Sequence, residues 1–249
     1  MNSSAFAIGK QSLHVRHFAS IDEMAAVVAE LAREVLAEAI AARSAASLVV
    51  SGGTTPAGYF PRLAALPLAW ERVTITLADE RWVAATDEAS NERLVRDHLL
   101  QGPAARARFI GLKTSAPTPQ EGAAAAAAAL DALARPYDLV LLGMGHDGHF
   151  ASLFPGAPEL LRGLGIAEPA RCIAITPPAH AQPAVPRISL TLAELTRARR
   201  IVVALQGAGK RATLDHALAS AQRLNGSAGE SLPIAALFAR ANVEVMLAD

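Results

Sequence analysis

The sequence predicts an α/β fold, a mainly parallel sheet flanked by helices, from three observations. Short apolar runs bounded by turn residues recur along the chain. Each run is almost continuously apolar, which is typical of strands that are buried on both faces. Stretches with helical periodicity lie between several of these runs, and such alternation favours right-handed βαβ crossovers within one sheet.

The elements follow in chain order from apolar spacing and turn chemistry. The first helix is predicted over residues 21–43, where apolar residues recur at helical spacing and Ser20 or Asp22 can cap the N-terminus. Strands are predicted over residues 47–50, 73–77, 139–142, 172–175, 201–205 and 243–247. Further helices are predicted over residues 56–66, 91–100, 120–133, 192–197 and 210–219.

Composition bounds the kind of protein. The chain has 249 residues, is 52% hydrophobic and has a formal net charge of +0, so we expect a well-packed core and treat residues 1–249 as one domain. The zero net charge shows no excess of basic residues of the kind that binds nucleic acid. No apolar run is long enough for a membrane span. The lone Cys172 excludes an internal disulfide, and the N-terminal segment lacks the apolar core of a secretory signal, so we expect a cytoplasmic protein.

Ligands of open α/β sheets bind beyond the carboxyl ends of the strands. We therefore expect ligand-binding residues directly after the predicted strands. The first strand is followed by SGGTTP, which contains Ser51, Gly52, Gly53 and Thr54. The glycines permit close approach of a ligand, and Pro56 suits the first position of a helix. Free N–H groups at that helix end favour phosphate binding. The alternative is a plain strand-to-helix turn with a threonine cap.

The second strand is followed by the charged stretch DERWV. Arg81 has the geometry to clamp a phosphate with two hydrogen bonds. Asp79 can help to hold it or can bind a sugar hydroxyl, and the alternative for these charges is a surface salt bridge. Asn91 stands where the next helix opens, and we interpret it as a cap rather than as a ligand.

The third strand is followed by GMGHDGHF, which places two histidines and an aspartate close together. In extended backbone an Asp-x-His pair points both side chains the same way, so Asp147 is expected to orient His149 as a general base. The alternatives are a structural role for His149 and an N-cap role for Asp147 on a helix over residues 149–153. Residues 143–148 also fit the glycine spacing of a dinucleotide turn, but the motif lies mid-chain instead of in the first βα unit.

Two further cations complete the set of candidate site residues. Lys210 opens a helix after the strand at 201–205, and Arg187 enters the strand-like segment PRISLT. For each of these the alternative is an ordinary cation without a ligand. A metal site at His146 lacks a closed ligand set, so we expect no metal and no cofactor. Together the candidates predict a phosphorylated small substrate held at one end, with acid–base chemistry at the other.

The motifs SGGTTP, DERWV, GMGHDGHFASLFPG, PRISLT and GAGK occur in the order typical of 6-phosphogluconolactonases, and the resemblance runs from about residue 48 to residue 249. It implies a Rossmann-like sheet of the sugar-phosphate isomerase type. It also implies hydrolysis of 6-phospho-D-glucono-1,5-lactone in the pentose phosphate pathway, without a cofactor. The roles that it implies are a base at His149, an orienting group at Asp147, and phosphate ligands at Ser51, Gly52, Gly53, Thr54, Arg81, Arg187 and Lys210.

The chain also departs from related patterns in ways that separate its possible functions. Phe150 and Ala84 differ from residues common in the resembled family, and we expect these two changes to alter packing and not activity, whereas His146 stands where the family's motif varies and its role is open. Glucosamine-6-phosphate deaminases share the SGG and DGH motifs, but they carry a glutamate where this chain has Phe154. A non-catalytic sugar-phosphate sensor would need a DNA-binding module. The expected partner is a small phosphorylated lactone, with no nucleic acid and no membrane, and the protein is expected to be a monomer or small homo-oligomer.

Overall fold

The larger sheet of the protein is mainly parallel, as the apolar runs predict. The computed structural model describes residues 2–165, 168–223 and 232–249. The strands in these residues are β1 (Asn2–Ile8), β2 (Gln11–Phe18), β3 (Ala46–Val50), β4 (Val73–Leu77), β5 (Asp79–Arg81), β6 (Arg108–Ile110), β7 (Tyr137–Leu142), β8 (Cys172–Ile175), β9 (Arg187–Leu190), β10 (Ala198–Gln206) and β11 (Val243–Ala248). Eight of them form one sheet in the order β1-β2-β11-β10-β7-β3-β4-β6. The β1–β2 pair is antiparallel, and the other neighbouring pairs of this sheet are parallel.

Helices follow most of the parallel strands. They are α1 (Ile21–Arg43), α2 (Thr54–Ala64), α3 (Asn91–His98), α4 (Pro119–Ala129), α5 (Leu160–Leu164), α6 (Leu192–Leu195), α7 (Ala208–Arg223) and α8 (Pro233–Phe238). The predicted bounds of α1 are confirmed, and Ser20 is its N-cap, accepting a hydrogen bond from the N–H of Glu23. This helix packs on β3, β7 and β11, so one element covers the centre of the sheet.

The central strands are buried along their whole length. Every residue of β3 and of β7 is buried, which is why both appear in the sequence as continuous apolar runs. The N-terminal hairpin of β1 and β2 was not predicted, because in β2 the buried Leu13 and Val15 alternate with the exposed His14. A search for continuous apolar runs misses such a half-exposed strand.

A smaller sheet of three strands lies apart from the parallel one. Its order is β5-β9-β8, and both of its pairs are antiparallel. The strand predicted over residues 172–175 is confirmed as β8, but it belongs to this second sheet and not to the parallel one. In this sheet Arg81 stands directly opposite Arg187, so two of the predicted cations become neighbours although they are distant in sequence.

The carboxyl ends of β3, β4, β7 and β10 meet at one edge of the larger sheet. The N–H of Ser51 donates to the carbonyl of Leu141 at 3.0 Å, and the N–H of Ala78 donates to the carbonyl of Val50 at 2.8 Å. The strand exits are therefore fixed to one another by backbone hydrogen bonds. None of the helices described has both the length and the apolar character to cross a membrane.

Candidate active site

A cavity of about 470 Å³ lies beyond these strand ends, and each site residue predicted from the sequence lines it. The ten residues are Ser51, Gly52, Gly53, Thr54, Asp79, Arg81, Asp147, His149, Arg187 and Lys210. The fold therefore gathers the exits of four parallel strands, together with two strands of the smaller sheet, around one space. Such a cavity is of the size that holds a small metabolite.

The loop of residues 51–53 leads directly into the N-terminus of α2. Gly53 has a φ of 109° and is the N-cap of the helix, and no side chain caps it. Because the first N–H groups of a helix have no intrahelical acceptor, those of Thr54 and Thr55 are available to an anion. The helix begins at Thr54 and not at Pro56 as predicted, and the threonine cap of the alternative interpretation is replaced by a glycine.

Gly52 is required by the close approach of the Asn91 side chain. A Cβ atom at this position would lie 1.8 Å from Oδ1 of Asn91. Asn91 is the first residue of α3 and not its cap as predicted, since the cap is Ser90, whose hydroxyl accepts from the N–H of Arg93. The Asn91 amide instead donates to the carbonyl of Asp79 at 2.8 Å, and its side chain lines the cavity.

Arg81 enters the cavity without an acidic partner among the described residues. Its Nη1 donates to the carbonyl of Ala89 at 2.5 Å, and its buried Nε has no hydrogen-bond partner. The adjacent Glu80 is occupied at the start of α3, where it accepts from the N–H groups of Asn91 and Glu92. The alternative of a surface salt bridge within this stretch is therefore wrong.

Arg187 is the most buried cation of the cavity, at 3% exposure. Its Nη2 donates to the carbonyl of Pro183 at 3.0 Å, while Nη1 lies 4.0 Å from Oδ2 of Asp79. Burial lowers the pKa of the Arg187 guanidinium, an effect that Asp79 opposes and Arg81 reinforces. Asp79 thus compensates Arg187, and its Oδ2 also accepts from the hydroxyl of Ser152.

Lys210 reaches the cavity from the first turn of α7, which begins two residues earlier than predicted, at Ala208. Burial lowers the pKa of the Lys210 ammonium below its ordinary value. No carboxylate of the described residues forms an ion pair with it. A partly buried ammonium without a counter-ion favours an anionic ligand, since burying a charge is costly unless it is paired.

Three buried polar atoms around the cavity lack a hydrogen-bond partner among the described residues: Ser51 Oγ, Arg81 Nε and Arg187 Nε. Buried polar groups are nearly always paired in native proteins, so such a cluster calls for a ligand. We call Ser51, Arg81, Arg187 and Lys210 the cationic wall. Its hydrogen-bond donors and positive charges suit a phosphate.

The candidate base lies in a tight turn that lines the same cavity. We call residues 145–149 the DGH turn. Oδ1 of Asp147 lies 2.6 Å from Nδ1 of His149 and also accepts from the His149 N–H at 3.2 Å. The predicted pairing of Asp147 with His149 is thus present, but its predicted cause is wrong. The backbone is folded and not extended, because Gly148 has a φ of 76°.

The negative charge on Asp147 determines which ring nitrogen of His149 carries the proton. Burial raises the pKa of the Asp147 carboxyl, but hydrogen bonds from His149 and His180 outweigh this and hold the pKa well below its ordinary value. An ionised carboxylate accepts only, so Nδ1 of His149 carries the proton and donates to Asp147. In the neutral ring, Nε2 then holds a lone pair that can accept a proton.

No helix spans residues 149–153, so the alternative of an N-cap at Asp147 is wrong. The glycines of the turn make room for the histidine pair: a Cβ at Gly145 would lie 2.2 Å from Nδ1 of His149. The N–H of Gly145 donates to the carbonyl of His149, and that of Gly148 to the carbonyl of Gly145. The dinucleotide interpretation lacks the helix N-terminus that it requires.

Phe154 contacts both the candidate base and Arg187. Its ring centroid lies 4.2 Å from that of His149 and 5.0 Å from the guanidinium carbon of Arg187. The side chain is buried. The position at which the deaminases carry a glutamate is thus filled by an apolar ring in contact with the base.

Two cavity residues gain a definite place only from the structure. His180, in the proline-rich loop before β9, has its Nε2 3.0 Å from Oδ2 of Asp147; no motif in the sequence indicates this contact across 33 positions. The His146 ring lies against Gly209, where a Cβ would be 2.9 Å from its Cε1. In the part of the chain that the structure describes, no cluster of three metal-ligating side chains is found.

Comparison with known proteins adds sequence and structural relatives. The family model for glucosamine-6-phosphate isomerases and 6-phosphogluconolactonase matches residues 19–246. A 6-phosphogluconolactonase of Caulobacter vibrioides is 42% identical over 234 residues, which are 93% of this chain and 96% of that protein. The crystal structure of a 6-phosphogluconolactonase from Shewanella baltica superposes with a TM-score of 0.88 at 38% identity, over 97% of this chain and 99% of that one.

A monomeric glucosamine-6-phosphate deaminase is also similar in structure, with a TM-score of 0.72, covering 94% of this chain and 96% of the other. The two chains are only 20% identical, so this likeness shows a shared fold alone. Fold therefore does not separate the two reactions, and the residues of the cavity must do so.

Proposed function

This chain belongs to the family of glucosamine-6-phosphate isomerases and 6-phosphogluconolactonases, and from that premise we propose that it hydrolyses 6-phospho-D-glucono-1,5-lactone to 6-phospho-D-gluconate. The enzyme is a 6-phosphogluconolactonase, a carboxylic ester hydrolase of the oxidative pentose phosphate pathway. One observation carries the finer proposal: the cationic wall and the DGH turn line the same cavity. A substrate with a phosphate at one end and an ester at the other can use both.

The cationic wall binds the phosphate of the lactone. A phosphate dianion supplies acceptors to Ser51 Oγ, Arg81 Nε and Arg187 Nε, whose hydrogen-bonding capacity is unfilled in the protein itself. Lys210 and the N–H groups that begin α2 add positive charge and further donors. The carboxylate of Asp79 lies beside Arg187, so it reduces the repulsion between the positive charges of the wall.

His149 acts as the general base on water. With Nδ1 donating to Asp147, Nε2 removes a proton from a water molecule as the oxygen of that water attacks the lactone carbonyl. A tetrahedral intermediate forms, and its negative oxygen requires a donor or a cation. The N–H groups of Gly145 and Gly148 already donate within the turn.

Collapse of the intermediate breaks the bond between the carbonyl carbon and the ring oxygen. The proton held on Nε2 passes to that oxygen, which becomes the hydroxyl of the open chain, and the carbonyl carbon becomes a carboxyl group. That transfer returns His149 to its neutral form, and the carboxyl group separately releases its proton to solvent. No external redox partner or cofactor is needed, because the reaction adds only water.

Deamination of an amino-sugar phosphate is the second candidate within the family. It is disfavoured by Phe154, whose buried ring contacts both His149 and Arg187 where that reaction would require a carboxylate. The lactone reaction needs no group at this position.

The proposed setting is the cytoplasm, where the phosphorylated lactone would be formed and used. The partner is that small molecule, with no nucleic acid and no membrane, and the protein acts as a monomer or small homo-oligomer. A single domain over residues 1–249 remains our prediction.

The function is tested by following product formation from freshly prepared lactone. A 6-phosphogluconate dehydrogenase in the assay reports the acid as it forms, and hydrolysis in buffer alone is subtracted. We expect enzyme-dependent acid formation, and no ammonia from glucosamine 6-phosphate under the same conditions. Ammonia release without lactone hydrolysis would overturn the assignment in favour of the deaminase.

A further inference from the structure

We propose that His180 is a positioning residue for the lactonase reaction: it holds one oxygen of Asp147 so that the other stays directed at His149. The inference rests on the proposed function, in which His149 is the base. It starts from the carboxylate of Asp147, whose two oxygens contact two different imidazoles. Oδ1 lies 2.6 Å from Nδ1 of His149, and Oδ2 lies 3.0 Å from Nε2 of His180.

A carboxylate held on one oxygen alone can rotate about its bond to Cβ. The DGH turn itself supplies only bonds to Oδ1, from the ring and from the N–H of His149. Among the hydrogen bonds described for this carboxylate, His180 provides the one to Oδ2. It therefore fixes the plane of the carboxylate, and with it the orientation of the His149 ring.

The loop that carries His180 is itself anchored to the cationic wall. The Arg187 guanidinium donates from Nη2 to the carbonyls of Gln182 and Pro183, at 3.3 and 3.0 Å. One segment therefore contacts the base through Asp147 and the phosphate end through Arg187. Because His180 is 61% exposed in its side chain, its contact is a support at the rim of the cavity and not a buried part of the core.

Other charged and titratable groups line the same cavity. Arg187 contacts the ring of Phe154, as His149 does, and His146 and Lys210 are two further lining groups. None of these three forms a hydrogen bond with Asp147 in the described residues. The arrangement thus assigns the second oxygen of Asp147 to His180.

The test compares His180→Ala with His180→Gln, whose amide nitrogen can take the place of Nε2. In His180→Ala we expect kcat to fall about threefold to tenfold, the order for one charge-assisted hydrogen bond weakened by solvent. KM should change little, because the cationic wall is untouched. His180→Gln should restore most of kcat, and His98→Ala, an exposed histidine on α3, serves as the control that leaves kcat unchanged.

A second readout needs no substrate. The Nδ1 proton of His149 should give a low-field proton resonance in the free protein, because its hydrogen bond to Asp147 is short. We expect this resonance to weaken in His180→Ala, since a rotating carboxylate exposes the shared proton to exchange with water, and to persist in His180→Gln.

The two readouts separate the possible failures. An unchanged kcat and an unchanged resonance in His180→Ala would overturn the proposal, as would a raised KM with kcat intact, which would make His180 a substrate ligand. If the wild-type protein hydrolyses no lactone, the proposed function fails. The resonance then still decides whether His180 orients Asp147.

Discussion

The cationic wall and the DGH turn line one cavity, yet their hydrogen bonding is opposite. In the wall, Ser51 Oγ and the Nε atoms of two arginines are buried without partners. In the turn, both oxygens of Asp147 and Nδ1 of His149 are occupied. The three unpaired atoms of the wall therefore gain partners when an anion binds, whereas the turn is organised before any ligand arrives.

This difference matches the two functions of the cavity, which are binding and catalysis. Binding is strongest when the ligand completes hydrogen bonds that the protein leaves open, and this arrangement destabilises the empty protein. Catalysis by a base requires that the base be oriented in advance. Substitutions in the turn should therefore act on kcat, while substitutions in the wall should act on affinity and on the stability of the empty protein.

The largest effect is expected at His149. Replacement of His149 by Ala removes the base, and kcat should fall by about 10²- to 10⁴-fold. Affinity for the product 6-phosphogluconate should stay nearly unchanged, because the wall is intact. Steady-state kinetics with equilibrium titration checks both parts, and a variant of normal kcat would remove His149 from its role.

Asp147→Asn tests whether the ionised carboxylate of Asp147 is needed to orient His149. We expect kcat to fall by about 10²-fold, because a neutral amide no longer fixes the histidine tautomer. The variant should also change stability with pH. The pKa of Asp147 lies below its ordinary value in the folded protein, so its ionised form stabilises the fold above about pH 4, the unfolded value.

That contribution is lost as the pH falls below about 4, toward the folded pKa of Asp147. Urea unfolding of the wild type and of Asp147→Asn over a pH series measures it. The gap in unfolding free energy should be largest near pH 6 and should close on acidification. A gap that widened on acidification would contradict the direction of this pKa shift.

Arg81→Met probes the wall without touching the turn. We expect KM to rise by about 10- to 10²-fold, the order for one charge-assisted hydrogen bond to phosphate, while kcat at saturation changes far less. Arg33→Met on α1, a half-buried arginine that pairs with Glu30 and does not line the cavity, is the matched control. A fall in kcat at unchanged KM would place Arg81 with the catalytic turn instead.

The smallest effects are expected at Lys210, where binding and stability should change in opposite directions. Lys210→Met should weaken product binding by about fivefold to tenfold, as expected for loss of one partly solvated charge contact. It should also raise the thermal stability of the empty protein slightly, because burial lowers the pKa of this ammonium and an apolar side chain avoids that desolvation. Calorimetry with and without 6-phosphogluconate measures both, and a destabilised empty protein would contradict the comparison.

The sequence predicted the wall and the turn for chemical reasons that hold in the structure. Strand exits of a parallel sheet meet at one edge, so the sequence alone groups residues as distant from each other as Ser51 and Lys210. The bounds of α1 and β4 follow from uninterrupted periodicity. These features depend on local pattern and on general rules of topology.

Other features depend on contacts that local pattern does not encode. The pairing of β5 with β9 brings Arg81 opposite Arg187, and nothing in either short segment predicts that register. The Asp147–His149 contact was predicted from extended backbone, whereas a positive φ at Gly148 produces it. His180 was missed because it reaches Asp147 from a loop without regular structure.

The most direct test of the central claim compares one ester with and without its phosphate. We would measure kcat/KM for 6-phospho-D-glucono-1,5-lactone and for D-glucono-1,5-lactone, on the wild type and on Arg81→Met. The account predicts a strong preference of the wild type for the phosphorylated lactone, about 10²-fold or more. That preference should shrink in Arg81→Met while the rate on the plain lactone stays the same. Equal kcat/KM for both lactones on the wild type would contradict it.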